Sequence, residues 1–189
     1  MLKKICVSCH YHLRNIAKIR KYLSEETSEI LVHALISSKL DNCNSLLYGL
    51  PQHLLNRLRA IQNTAARIVT LSKRFDHITP IMFRPHWLPL NYRIHFKILL
   101  LVYKCLNGLA PIYLSELLRY RNSPRLLRSS SQDFLAVPRS RLKTYGDRAF
   151  SVVAPKLWNR LPPELRGVTS VDQFKAHLKT YLFKLAYDV

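Results

Sequence analysis

Carboxylates are scarce in this chain. Across 189 residues, 11 Asp and Glu stand against 30 Lys and Arg, a formal net charge of +19. So few acids argue against a metal-dependent enzyme, and no Asp-Asp pair occurs anywhere. A polymerase or nuclease centre needs carboxylates that converge on two metals, and no such set is present. Glycine is scarcer still, at four residues. That leaves no P-loop, no G-x-G-x-x-G and no G-x-S-x-G. It also leaves few sites for positive-φ turns, hence few tight hairpins. No H-E-x-x-H occurs among the eight His, which removes a zincin-type protease. Long apolar runs are missing too. The longest is Ile98 to Tyr103, bracketed by Lys97 and Lys104, far short of the roughly 20 residues a membrane span needs. The N-terminus lacks the continuous apolar stretch of a signal peptide. No cofactor and no membrane partner are expected.

What is present is helical patterning. Leu2, Ile5, Cys9, Leu13 and Ile16 recur at three and four over residues 2–21. No capping residue precedes this pattern, a hint that the chain begins inside a longer one. Ser24 is placed to cap a second helix with Glu25 and Glu26 in its first turn, where the helix dipole favours negative charge. Pro51 opens a third long helix, with Leu54, Leu55, Leu58, Ile61, Ala65 and Ile68 on one face. Two prolines predict an extended course over 85–89. Residues 91–106 are apolar on most sides and read as a central buried helix ended by Asn107-Gly108. Ser170 with Gln173 predicts a capping box for a last helix over 171–186. Between them, residues 134–137 and 149–153 are β-rich enough to predict a small hairpin. The expected fold is mainly α: a helical bundle with a small β-hairpin and a basic loop over 119–148 in its C-terminal half. The expected division is a thumb-like segment over 1–75 and an extension over 76–189.

Four scattered Cys read as reduced thiols in an intracellular protein, nuclear or cytoplasmic. Cys6-Val7-Ser8-Cys9-His10 matches the C-x-x-C-H haem-attachment spacing, and His12 lies close by. A zinc site would need a second Cys/His pair at finger spacing, which is absent. Cys6 and Cys9 are therefore read as small core residues, and no metal is expected.

The positive signal is the basic surface. A net charge this large favours an anionic partner. Arg14, Lys18 and Lys21 form one strip. Arg57, Arg67, Lys73 and Arg74 form a second group, and Arg125, Arg128, Arg139, Arg141 and Lys143 a third. The expected partner is RNA or DNA, gripped through its phosphate backbone with little sequence preference. Tyr11, Tyr22, Tyr92, Tyr145 and Trp158 sit near basic residues and could stack on bases. Trp87 and Trp158 have apolar neighbours and are read as core. A helical module binding an acidic protein is the alternative.

Four stretches carry a resemblance: SSKLDNCNSLLYGLP (37–51), LNRLRAIQNTAARIV (55–69), HWLPLNYRIHFKILLLVYKCLNGLAPIYLSELL (86–118) and PRSRLKTYGDRAFSVVAPKLWNRLPPELR (138–166). Together they resemble the C-terminal region of the reverse-transcriptase polyprotein of LINE-type, jockey-like non-LTR retrotransposons. The resemblance implies part of the polymerase thumb plus a C-terminal extension, downstream of the catalytic palm. The palm's aromatic-Ala-Asp-Asp motif is absent here. The resemblance therefore implies a non-catalytic, nucleic-acid-binding fragment of an RNA-directed DNA polymerase, with no catalytic residue in this chain.

Overall fold

The computed structural model describes residues 2–121 and 133–189. Ten α-helices run through them: α1 (Leu2–Ile19), α2 (Glu25–Val32), α3 (Ser38–Asp41), α4 (Gln52–Thr70), α5 (Ile78–Phe83), α6 (Leu90–Leu106), α7 (Ile112–Ser115), α8 (Phe150–Trp158), α9 (Pro163–Arg166) and α10 (Val171–Tyr187). A π-helical turn, His33–Ser37, joins α2 to α3. The chain divides into two compact units. One holds the residues up to Ile94 together with Phe183–Val189, and the other holds His95–Leu182. No described helix is long and apolar enough to cross a membrane.

In the first unit α4 packs on α1, α2 and α5. Helix periodicity explains why. Cys9, Leu13 and Ile16 of α1 and Leu58, Ile61 and Ala65 of α4 are all buried, each set on one stripe. Ser24 caps α2 as its sequence position requires, its hydroxyl accepting the Thr27 N–H at 3.1 Å. Gln62, buried mid-helix, donates to the Leu88 carbonyl at 2.7 Å. Trp87 is core and donates to Glu29 Oε1 at 2.7 Å. Arg93 grips the Asp41 carboxylate with two nitrogens, Nε at 2.9 Å to Oδ1 and Nη2 to Oδ2. The chain's last residues are pinned here too. Tyr187 donates to the Trp87 carbonyl at 2.7 Å, Tyr92 to the Leu185 carbonyl at 2.9 Å, and Phe183 meets the rings of Phe83 and His86. Burial pushes the Tyr187 hydroxyl up to about 12.

The course expected over 85–89 is only half extended. Residues 84–86 form a turn, and His86 takes a left-handed backbone at φ 55°. Its N–H bonds to the Phe83 carbonyl and that of Trp87 to the Met82 carbonyl, so these residues close the end of α5 instead of leaving it. Arg84 is helical even though Pro85 follows it. Two good terminal hydrogen bonds outweigh the pre-proline bias there.

In the second unit Tyr103 stacks on Phe174 at 4.2 Å between centroids, with Trp158 6.0 Å from the same ring. The expected hairpin is not found: no β-strand occurs among the described residues. Of residues 149–153, expected as its second strand, Ala149 is the N-cap and the rest form the first turn of α8. Val152, Val153, Leu157 and Trp158 are all buried, and burying that helical face overrides the β preference of two valines. Residues 134–136 are extended but pair elsewhere. A lone antiparallel bridge joins Leu135 to Tyr120. On the other side Asn159 takes a strand's place: its amide oxygen accepts the Leu135 N–H at 2.9 Å and its amide nitrogen donates to the Leu135 carbonyl at 2.8 Å. The buried backbone is thus satisfied without a second strand.

Candidate nucleic-acid interface

α1 and α4 meet along an open cleft of about 680 Å³ in the first unit. Its polar lining is Arg20, Arg67 and Arg74 with Asn63, Thr64 and Ser72, and no carboxylate is among its lining residues. Ala17 and Ala60, both exposed, line it as well. Helical spacing decides what flanks it. Arg14, Ala17, Lys18 and Lys21 fall at three- and four-residue steps on α1 and its continuation. Arg57, Ala60, Thr64 and Arg67 do the same on α4. Of the two basic groups expected separately, Arg67 and Arg74 line the cleft, while Arg14, Lys18 and Lys21 on the α1 side and Arg57 on α4 are exposed on the elements that flank it.

Arg20 holds this arrangement together, and sequence reasoning did not single it out. Its side chain is buried, at 7% exposed. Nε donates to the Ile68 carbonyl at 3.0 Å and the Val69 carbonyl at 3.3 Å, Nη2 to Val69 at 2.7 Å, and Nη1 to the Leu23 carbonyl at 2.6 Å. The Val69 carbonyl is one of the last of α4, which the helix itself leaves without a donor. The helix then ends on Leu71 in the left-handed region, φ 53°, with the Ser72 N–H returning to the Arg67 carbonyl at 3.1 Å. A basic residue that sits between Lys18 and Lys21 of the expected strip gives no sequence sign that it turns inward.

The turn after α4 carries Lys73, Arg74, Phe75 and Asp76. The Asp76 carboxylate accepts the Lys73 N–H at 2.7 Å, and the Asp76 carbonyl accepts Arg67 Nη2 at 3.1 Å. Arg67 Nε is buried with no hydrogen-bond partner. Phe75 is 92% exposed, and the Arg74 guanidinium carbon lies 5.9 Å from its ring centroid. Lys21 Nζ stands 4.7 Å over the exposed Tyr22 ring. Phe75 was not among the expected stacking residues. Its sign in the sequence is an aromatic inside a polar Lys-Arg-x-Asp turn.

Arg14, Lys18, Lys21, Arg57, Lys73 and Arg74 are exposed, and Arg67 is half-buried. In the second unit Arg139, Arg141 and Lys143 are exposed on the segment before Gly146. Arg125 and Arg128 lie outside the described residues. Among the described residues the ion pairs use His33, Arg84, Arg93, Lys156 and Lys175, and none uses an expected contact residue. Tyr11, Tyr22 and Tyr145 are exposed, while Trp158 lies in the core.

The Cys6–His12 face of α1 carries a different chemistry. Lys39 Nζ donates to Ser8 Oγ and to His12 Nε2, the latter at 2.9 Å. A cation thus already occupies this face. All four cysteines are free, and burial pushes the Cys9 and Cys105 thiols up. Among the described residues no three His, Cys, Asp or Glu side chains are grouped to hold a metal. Comparison of the chain with protein-family models, with curated proteins and with solved structures finds no match.

Proposed function

We propose that this protein binds nucleic acid through the phosphate backbone and does no chemistry of its own. On the sequence resemblance, its role is that of the region after the palm in a LINE-type, jockey-like reverse transcriptase: to hold template RNA or target DNA. One observation carries the reading. The side chains of Arg67 and Arg74, which line the α1–α4 cleft, and of the exposed Arg14, Lys18, Lys21, Arg57 and Lys73 have no carboxylate partner among the described residues, so their charge is available to an outside anion. Phosphate contacts of this kind release condensed counterions, which makes affinity fall steeply with salt.

The test is a titration of labelled RNA and DNA by fluorescence anisotropy at stepped salt concentrations. Log affinity against log salt should be linear, losing about 0.9 per neutralised phosphate on duplex DNA and about 0.7 on a single strand. Replacing Arg139, Arg141 and Lys143 together by Ala should reduce the slope by roughly two to three units if all three touch phosphate. A flat salt dependence would refute the reading.

A second reading draws on the other unit. Leu109, Ile112, Tyr113 and Leu117, in and around the short α7, are exposed apolar side chains. Such a group suits a protein partner. A salt-insensitive protein complex without RNA or DNA retention would favour it.

A further inference from the structure

Building on the nucleic-acid reading above, we propose that the α1–α4 cleft takes a nucleotide of an unpaired strand. Its phosphate would lie on Arg67 and Arg74, and its base on the open face of Phe75. The site would then select single-stranded RNA or DNA over duplex.

Three independent features converge on this assignment. The first is Arg67. One of its terminal nitrogens is fixed by the Asp76 carbonyl, while Nε is buried and unpartnered beside the cleft. A buried donor without an acceptor is uncommon in a folded protein, and a bound ion is one of the things that would satisfy it. A phosphate oxygen is the acceptor that a guanidinium fits best. The one acid in this turn, Asp76, is already engaged by the Lys73 N–H and is not a lining residue of the cleft.

The second feature is Phe75. An apolar ring 92% exposed beside a guanidinium offers a stacking face next to a phosphate-binding group. That pairing is what sequence-tolerant single-strand sites use, because every base has a π-face. Bases inside a duplex are already stacked and offer no such face. Tyr22, exposed with Lys21 over its ring, repeats the pairing on the segment that Arg20 ties to the end of α4. The third feature is size: about 680 Å³ lies within the range of small-molecule sites, roughly 300–1,000 Å³.

The experiment uses the full chain and four labelled probes: a pyrimidine-rich ribo-oligonucleotide, its deoxyribo equivalent, and the duplex of each. Phe75→Ala should weaken both single strands by about 5- to 100-fold, the loss of one stacked base, and leave both duplexes within about twofold. Phe75→Trp should restore single-strand binding, which separates stacking from any effect on folding. Arg74→Gln should lower the single-strand salt slope by about 0.7. If Phe75→Ala weakens single strands and duplexes equally, or neither, the cleft assignment falls. The phosphate reading then survives wherever the parent protein keeps its steep salt dependence. A parent protein that binds none of the four probes refutes both.

Discussion

Arg20→Met isolates the internal work of one arginine from the charge of its neighbours. Methionine keeps much of the packed stem but removes every donor. The Val69 and Leu23 carbonyls, and that of Ile68, then lose a charged partner. A hydrogen bond to a charged group contributes about 1.5–3 kcal/mol. Three lost acceptors set a gross cost of several kcal/mol. Releasing a guanidinium that is 7% exposed from its buried position gives part of this back, since burying a charge is itself unfavourable. Ile68 also lines the open cleft, so water can reach its carbonyl. The net expectation is about 3 kcal/mol. With a urea m-value of about 2 kcal/mol/M, the unfolding midpoint by far-UV circular dichroism should drop by about 1.5 M. Arg20→Lys, with one compact ammonium in place of a fork, should fall between Met and the parent. Arg14→Met and Lys18→Met, on exposed positions of the same helix, should stay within about 0.5 kcal/mol. An Arg20→Met midpoint indistinguishable from theirs would refute the capping role.

The remaining expectations concern single positions. Asn159→Ala should cost about 1–3 kcal/mol and strip hydrogen-exchange protection from the Leu135 amide, because both bonds to that residue are lost. Leu71→Gly should stabilise by about 1 kcal/mol, since a left-handed leucine that is mostly exposed has strain to lose and little burial. With a disulfide reagent, exposed Cys43 should react well before buried Cys9 and Cys105, whose thiols are pushed up by burial. Burial, aided by the Arg160 charge, pushes His95 below its ordinary value of 6.5. The unfolded chain therefore takes up its proton first, and stability present above that pH should fall as pH drops below it, with His95→Gln flattening the fall.

Much of the helical skeleton was legible because each long helix carries its own apolar stripe. Residues 2–21 needed only that stripe, the helix opened at Pro51 needed the stripe and its proline, and Asn107-Gly108 marked the end of α6 correctly, with Gly108 at φ 69°. The errors fall where a tertiary partner decides. Ser151-Val152-Val153 looks like a strand in isolation, but its neighbours Leu157 and Trp158 give it a helical face to bury. No local pattern says that the Asn159 side chain will bond the Leu135 backbone from 24 positions away. Leu71 and His86 take left-handed turns without being glycine, so no turn residue announces them. The same limit applies to the site. Arg67 and Arg74 could be picked out as basic, but not as lining one cleft, since that depends on α1 packing against α4. Arg20 was passed over because its inward turn depends on carbonyls 48 and 49 positions ahead.

Those carbonyls also bear on why an anion could be held at this end of α4. A helix C-terminus carries roughly half a negative charge and by itself repels phosphate. Arg20 sets a full positive charge against it, with hydrogen bonds of 2.7–3.3 Å to Ile68 and Val69. The local balance turns positive before Arg67 and Arg74 are considered. Arg20 is committed to the backbone and offers the ligand little direct bonding, so its contribution to binding is a change of sign. It follows that Arg20→Met should weaken phosphate binding beyond its effect on stability, even at a temperature where the variant is fully folded. The lost affinity should shrink as salt rises, because a charge acting through space is screened whereas a lost shape is not. A binding defect in folded Arg20→Met that stays constant across the salt series would mean that the side chain acts through geometry alone.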